Sequence, residues 1–275
     1  MVDASVNDVS PTIVKPRRVA KRTVYIAAIL AWCVVFGLGS LLVTAVNQAR
    51  EAARESQCRG HFSQLMMAFH EYHETYHCLP PAFIADENGK PKHSWRVLVL
   101  PFLGEYEVYK QYDFSEPWDG PNNRRLADKI NLDLFRCPSG PTTEKSLMTE
   151  YVVIVGSKTA FPGSRSTTFD EMEDGRENSI LVVEIMNSNI HWMEPRDLNF
   201  DEMSFLVNDS RKPSISSPHP WGPGVSFADG ISTYRLGESL RPGTLQAFAT
   251  IAGREPVSKD KLHRPIAGCY RHLAE

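Results

Sequence analysis

From Val24 to Val46 the chain reads VYIAAILAWCVVFGLGSLLVTAV, twenty-three residues without a charge. As an α-helix rising about 1.5 Å per residue, that run covers the roughly 30 Å hydrocarbon layer of a bilayer. A cleaved secretory signal has a shorter apolar stretch, about 7–15 residues, followed by a small-residue cleavage site. Only Val43-Thr44-Ala45 faintly resembles such a site. The run is therefore expected to stay as an uncleaved, single-pass anchor.

Basic residues close to a span are retained on the cytoplasmic side. Lys15, Arg17, Arg18, Lys21 and Arg22 precede this one, whereas Arg50 and Arg54 beyond it are balanced by Glu51 and Glu55. The flanks predict a cytoplasmic basic tail at 1–23, a transmembrane helix at 24–46 and an extracytoplasmic domain at 47–275, held at the cytoplasmic membrane. The opening MVDASVNDVSPTIV reads as a short disordered tail. With 42% hydrophobic and 23% charged residues, the chain has the composition of a globular protein. A formal net charge of −3 supplies no concentrated basic surface for phosphates, so no nucleic-acid partner is expected.

Past Asn47 the sequence QAREAARESQCRGHFSQLMMAFHEYHETYH is rich in helix formers and free of proline until Pro80-Pro81. Phe62, Leu65, Met66, Phe69, Tyr72 or His73, and Tyr76 recur at three- and four-residue steps, the pattern of one helix face. A single helix of about 55 residues is predicted, with Gly60 as a candidate bend and the stripe seeking a protein surface. Downstream, 94–103 and 122–130 read as short helices. The β-branched runs at 151–155 and 180–185 read as buried strands. Val225–Ala228 and Ile231–Arg235 flank Asp229-Gly230, a favoured two-residue hairpin turn in which both positions need positive φ. That loop sets Val225 opposite Tyr234, with Phe227 on the same face. Pro242 opens a last helix carrying Leu245, Phe248 and Ile251, expected to end at Gly253. One α+β domain with an antiparallel sheet follows.

Several segments in this order resemble a large family of bacterial pilin-like proteins of unknown function. They are NQAREAARESQC at 47–58, MMAFHEYHETYHCLPPA at 66–82, SWRVLVLPFL at 94–103, EPWDGPNNRRL at 116–126, FRCPSG at 135–140, TEYVVIVGSKTAFPG at 149–163, DGRENSILVVE at 174–184 and HPWGPGVSFADG at 219–230. The last carries the family's His-x9-Asp-Gly signature in His219, Asp229 and Gly230. The resemblance implies a type IV pilin-like fold, a long N-terminal helix whose distal half packs on an antiparallel sheet, and export from the cytoplasm. Members usually open with Gly-Phe-Thr-Leu-x-Glu, where a prepilin peptidase acts. Here Gly37 and Gly39 lie inside the apolar run, which has no acidic residue, so a pilin-like domain on a plain anchor is expected.

The five cysteines, Cys33, Cys58, Cys78, Cys137 and Cys269, show no C-x-x-C or other zinc spacing, and no thiolate metal site is predicted. Cys33 lies in the span; the other four share a compartment that suits disulfides if it is oxidising. Cys58 and Cys137 coincide with positions of the resembled family and are expected to pair, leaving Cys78 with Cys269. His70, His73 and His77 share a helix side, but the aromatic and acidic residues around them read as a helix surface meeting a sheet. Asp170, Glu171, Glu173, Asp174 and Glu177 lack the order of a calcium loop and read as a solvated turn before a strand.

There is no G-x-S-x-G, Walker loop or G-x-G-x-x-G. No catalytic residue, cofactor or metal ligand is assigned, and the chain is not expected to be an enzyme. It is expected to act as a structural or interaction protein of the cell envelope, with envelope proteins or its own copies as partners. The alternative is an extracytoplasmic solute-binding module whose pocket is lined by Trp95, Trp118, Trp192 and Trp221. His219 is expected to contribute as part of a loop, so that His219→Ala costs much less stability than Gly230→Val.

Overall fold

The computed structural model describes residues 21–130, 132–140, 147–262 and 264–265. The chain divides into two compact units, one up to Arg50 and one from Glu51 onward. Helix α1 (Lys21–Tyr76) runs through both and passes Gly60 without interruption. In the first unit the large apolar side chains between Val24 and Val46 are exposed, from 39% at Val46 to 76% at Phe36. Ser40 and Thr44 turn their hydroxyls back onto the carbonyls of Gly37 and Leu41, both at 2.8 Å, so these polar groups are satisfied within the helix. This helix is long and apolar enough to cross a membrane.

The second unit is α+β. After α1 come β1 (Phe83–Ala85), β2 (Pro91–Ser94), α2 (Trp95–Leu98), α3 (Tyr106–Gln111), α4 (Pro121–Ala127), β3 (Tyr151–Val152), β4 (Ile154–Val155) and β5 (Ile180–Glu184). They are followed by β6 (Leu198–Asn199), β7 (Gly224–Phe227), β8 (Thr233–Arg235), α5 (Pro242–Ala249) and β9 (Arg264–Pro265). The main sheet is antiparallel throughout in the order β3-β5-β7-β8-β9. An antiparallel pair β1-β2 and a parallel pair β4-β6 stand beside it.

The helical stripe is buried where a sheet covers it. Phe62, Leu65 and Phe69 are 0% exposed, and each such side chain contributes about 1.5–3 kcal/mol of burial. Phe62 meets Tyr151 edge-on at 4.9 Å, and Phe69 packs on Trp95 at 5.1 Å. Tyr72 and His73 are half-buried and Tyr76 is exposed, so the covered part of the stripe stops a turn before the helix does. Tyr151 and Val153 join the core on the α1 side, while Val152 and Ile154 join a second core with Leu245 and Phe248 of α5. Successive strand residues thus feed opposite faces, as a period of two requires.

Local chemistry breaks the longer predicted elements. The helix expected over 94–103 is α2 plus a 3₁₀ turn at Leu100–Leu103, because Pro101 has no N–H to continue the ladder. The strand expected over 151–155 becomes β3 and β4, since the Val153 N–H leaves the ladder to donate to Asp197 Oδ1 at 3.0 Å. Helix α5 ends at Ala249 rather than Gly253, with Thr250 extended and the Ile251 N–H bonded to the Lys158 carbonyl at 3.1 Å. The hairpin register Val225↔Tyr234 is as expected. Its turn differs: Gly230 alone has positive φ (77°), and its N–H closes a turn on the Phe227 carbonyl at 3.2 Å. Asp229 instead uses its carboxylate, which accepts from the Ile231 and Ser232 N–H groups at 3.1 and 2.8 Å.

Candidate functional site

At one end of the main sheet four buried side chains from distant parts of the chain converge. Cys58 projects from α1 and Cys137 from the loop after Phe135, while Glu184 ends β5 and His219 precedes β7. They are 0%, 5%, 0% and 3% exposed, and one ligand atom from each lies within 4.8 Å of all the others. Among the described residues this is the group of three or more Cys, His, Asp or Glu side chains with such convergence.

Each member is held by its own partners. His219 opens the turn His219-Pro220-Trp221-Gly222, closed by the Gly222 N–H on the His219 carbonyl at 3.0 Å. Gly222 has φ 85°, and a Cβ there would stand 2.0 Å from the Leu236 carbonyl oxygen, so only glycine fits. The His219 Nδ1 donates to Glu51 Oε1 at 2.6 Å, which turns Nε2 toward Cys137 Sγ at 3.3 Å and Glu184 Oε1 at 3.9 Å. Glu51 lies two helical turns before Cys58, on the same side of α1, and is itself paired with Arg54. Glu184 accepts from the Ser217 hydroxyl at 2.7 Å, the Gly224 N–H at 2.9 Å and Arg235 Nη1 at 2.8 Å. Cys58 Sγ accepts from the Tyr151 hydroxyl at 3.1 Å.

The electrostatics follow from this crowding. A hydrogen bond from Cys137, the largest influence, draws Cys58 toward the thiolate against the opposing effect of burial. The same contact and burial push the Cys137 thiol up. Burial holds the Glu184 carboxyl above its usual range, with Arg235 and His219 pulling the other way. Burial would lower His219, but its contacts with Cys58, Glu184 and Glu51 outweigh this and raise it.

The expected Cys58–Cys137 pair is therefore brought together, but as two free thiols in a four-residue cluster rather than as a bonded bridge. Cys78 is also a free thiol, and its expected partner Cys269 lies outside the described residues. His219 and Asp229 do not meet. Asp229 Oδ2 instead binds Lys259 Nζ at 3.2 Å, and that ammonium sits 4.5 Å over the Phe227 ring. Two buried ion pairs were not expected from the sequence. Arg96 and Asp197, 0% and 1% exposed, pair at 2.6 Å in the core beneath Trp95. Arg235 and Glu184 form the second buried pair. A charged residue closing the apolar run ILVVE was the one available hint of Glu184.

The other candidates stay apart. His70 bonds the Ala228 carbonyl at 3.1 Å, His70 and His73 pack on Phe169, and His77 stands exposed past the helix end with φ 59°. In the acidic loop, Asp174 accepts from the Gly253 and Arg254 N–H groups at 2.8 and 2.6 Å, Glu173 pairs with Arg254, and Glu171 pairs with Arg165. Its carboxylates fasten the segment after α5. Trp95 and Trp192 are buried in the core, Trp118 packs on His191 at 5.3 Å, and Trp221 is 42% exposed. Among the described residues, neither of two surface cavities, one beside Ile84 and His93 and one beside Phe200 and Thr250, is lined by any of the four.

The sequence model of a family described as "Protein of unknown function (DUF1559)" matches residues 47–214. That range includes Cys58, Cys137 and Glu184 and stops short of His219 and the hairpin. No curated protein and no solved structure matches the chain. On the strength of that match, which spans more than half of its length, the chain belongs to the DUF1559 family of proteins of unknown function.

Proposed function

We propose that this protein is a membrane-anchored structural or interaction protein of the bacterial cell envelope, with a pilin-like domain presented outside the cytoplasmic membrane, and that it is not an enzyme. The observation that carries the reading is helix α1. Its first part bears exposed apolar side chains over a length that suits a bilayer, and its later part is a core element of the folded unit. The basic residues before the span favour an N-terminus in the cytoplasm. The burial of Cys58, Cys137, Glu184 and His219 favours a structural role for the cluster, because a catalytic group must reach its substrate.

Membrane fractionation tests the anchor: the protein is expected to stay in the pellet after alkaline carbonate washing, and release into the supernatant would overturn it. Protease added to spheroplasts should digest the domain from Glu51 onward; protection until the cells are lysed would reverse the proposed orientation. Cross-linking in intact cells tests the role. Defined neighbours or homo-oligomers support it, and a chain that remains monomeric and uncaptured counts against it.

A further inference from the structure

We propose that Cys58, Cys137, His219 and Glu184 form a closed, structural binding site for a divalent transition-metal ion of the zinc type. This goes beyond the anchoring role and does not depend on which side of the membrane the domain occupies. With metal–sulfur bonds of about 2.3 Å and metal–nitrogen bonds of about 2.0–2.1 Å at tetrahedral angles, sulfur and nitrogen ligands stand about 3.5 Å apart. Cys137 Sγ and His219 Nε2 are 3.3 Å apart, and the whole donor set lies within 4.8 Å. The four atoms can close on one ion with shifts of up to about one ångström. Two sulfurs, one imidazole nitrogen and one carboxylate oxygen are a ligand set suited to zinc.

The surroundings are arranged as they are around metals. A metal-binding histidine usually gives its other ring N–H to a carboxylate, which fixes the ring and aims the free nitrogen. The His219 Nδ1 does this with Glu51 at 2.6 Å. Glu184 is oriented by Ser217, Gly224 and Arg235, and Cys58 by Tyr151. Charge also balances: two thiolates and Glu184 carry −3, while the ion and the buried Arg235 carry +3. Arg235 is held against the cluster by Nη1, which donates to Glu184 at 2.8 Å. A disulfide would need only the two sulfurs. It leaves unexplained why an imidazole and a carboxylate, each fixed by separate partners, turn lone pairs on the same point.

The test uses the full chain, purified in detergent under reducing conditions. One zinc per chain is expected by elemental analysis. Replacement with Co²⁺ should give the visible bands of a tetrahedral ion and a thiolate-to-cobalt transition in the near ultraviolet. Cys58→Ser and Cys137→Ser should each weaken the thiolate transition, and the double variant should abolish it. Because these variants can also disturb folding, Glu51→Gln provides the second arm: it keeps all four ligands and is expected to weaken zinc about 10–100-fold, with unchanged circular dichroism. Absence of stoichiometric metal after both purification and reconstitution with Zn²⁺ overturns the proposal. So does a cobalt spectrum without the thiolate transition, or recovery of Cys58 and Cys137 as one disulfide-linked peptide in protein isolated with its thiols trapped.

Discussion

The domain buries two polar clusters of opposite character. Around Arg96 and Asp197 the hydrogen-bonding capacity is filled from within the protein. The guanidinium reaches Asp197 at 2.6 Å, the Tyr151 carbonyl at 3.0 Å and the Ser94 hydroxyl at 3.1 Å, and Asp197 also accepts from Trp95 at 3.2 Å and Val153 at 3.0 Å. Around Cys58, Cys137, Glu184 and His219 the donors and acceptors face one another and leave two Arg235 nitrogens unmatched. A buried cluster that serves only the fold closes on itself, because an unmet polar group costs about 1–3 kcal/mol.

The largest effect should come from breaking the closed cluster. Asp197→Ala strands Arg96 in the core and is expected to cost about 3–5 kcal/mol in urea unfolding, whatever the metal content. Arg96→Met combined with Asp197→Leu should recover much of that loss. Next, His219→Ala removes a buried ring and the charged hydrogen bond to Glu51, an expected loss of about 2–3 kcal/mol. A chelator should shrink the difference from the parent protein, whereas the Asp197→Ala difference should not respond. Gly230→Val forces a β-branched residue into left-handed backbone and sets its Cβ 2.8 Å from His70 Nε2. It should cost about 1–2 kcal/mol. This places His219 above Gly230, opposite to the order expected from a loop residue, and thermal unfolding of the two variants side by side decides it. The smallest effect, about 0.5–1 kcal/mol, is expected for Lys259→Ala, which loses a partly exposed ion pair and a cation–π contact.

What the sequence made legible is what repeats or is local. The span follows from an unbroken apolar length, and the stripe from Phe62 to Phe69 and the Val225↔Tyr234 register from fixed periods, 3.6 for a helix and two for a strand. The hairpin turn was placed correctly but mis-typed, since Asp229 satisfies the turn with its side chain instead of its backbone. The cluster could not be read this way. Cys137 and His219 are 82 positions apart and Glu51 and His219 are 168 apart, so no motif length encloses them. The resemblance marked Cys58, Cys137 and His219 separately. Only the strand order β3-β5-β7 brings them to Glu184.

That dispersal also sets an order of events. Cys58 emerges early in synthesis and His219 about 160 residues later, an interval of roughly ten to thirty seconds at typical elongation rates. Until Cys137 is made, about halfway through that interval, Cys58 has none of its cluster partners, and Cys78 is the next cysteine along the chain. On the proposed metal site, the early half of this protein would have to be kept reduced, or shielded, until the strand carrying Glu184 and the turn carrying His219 arrive.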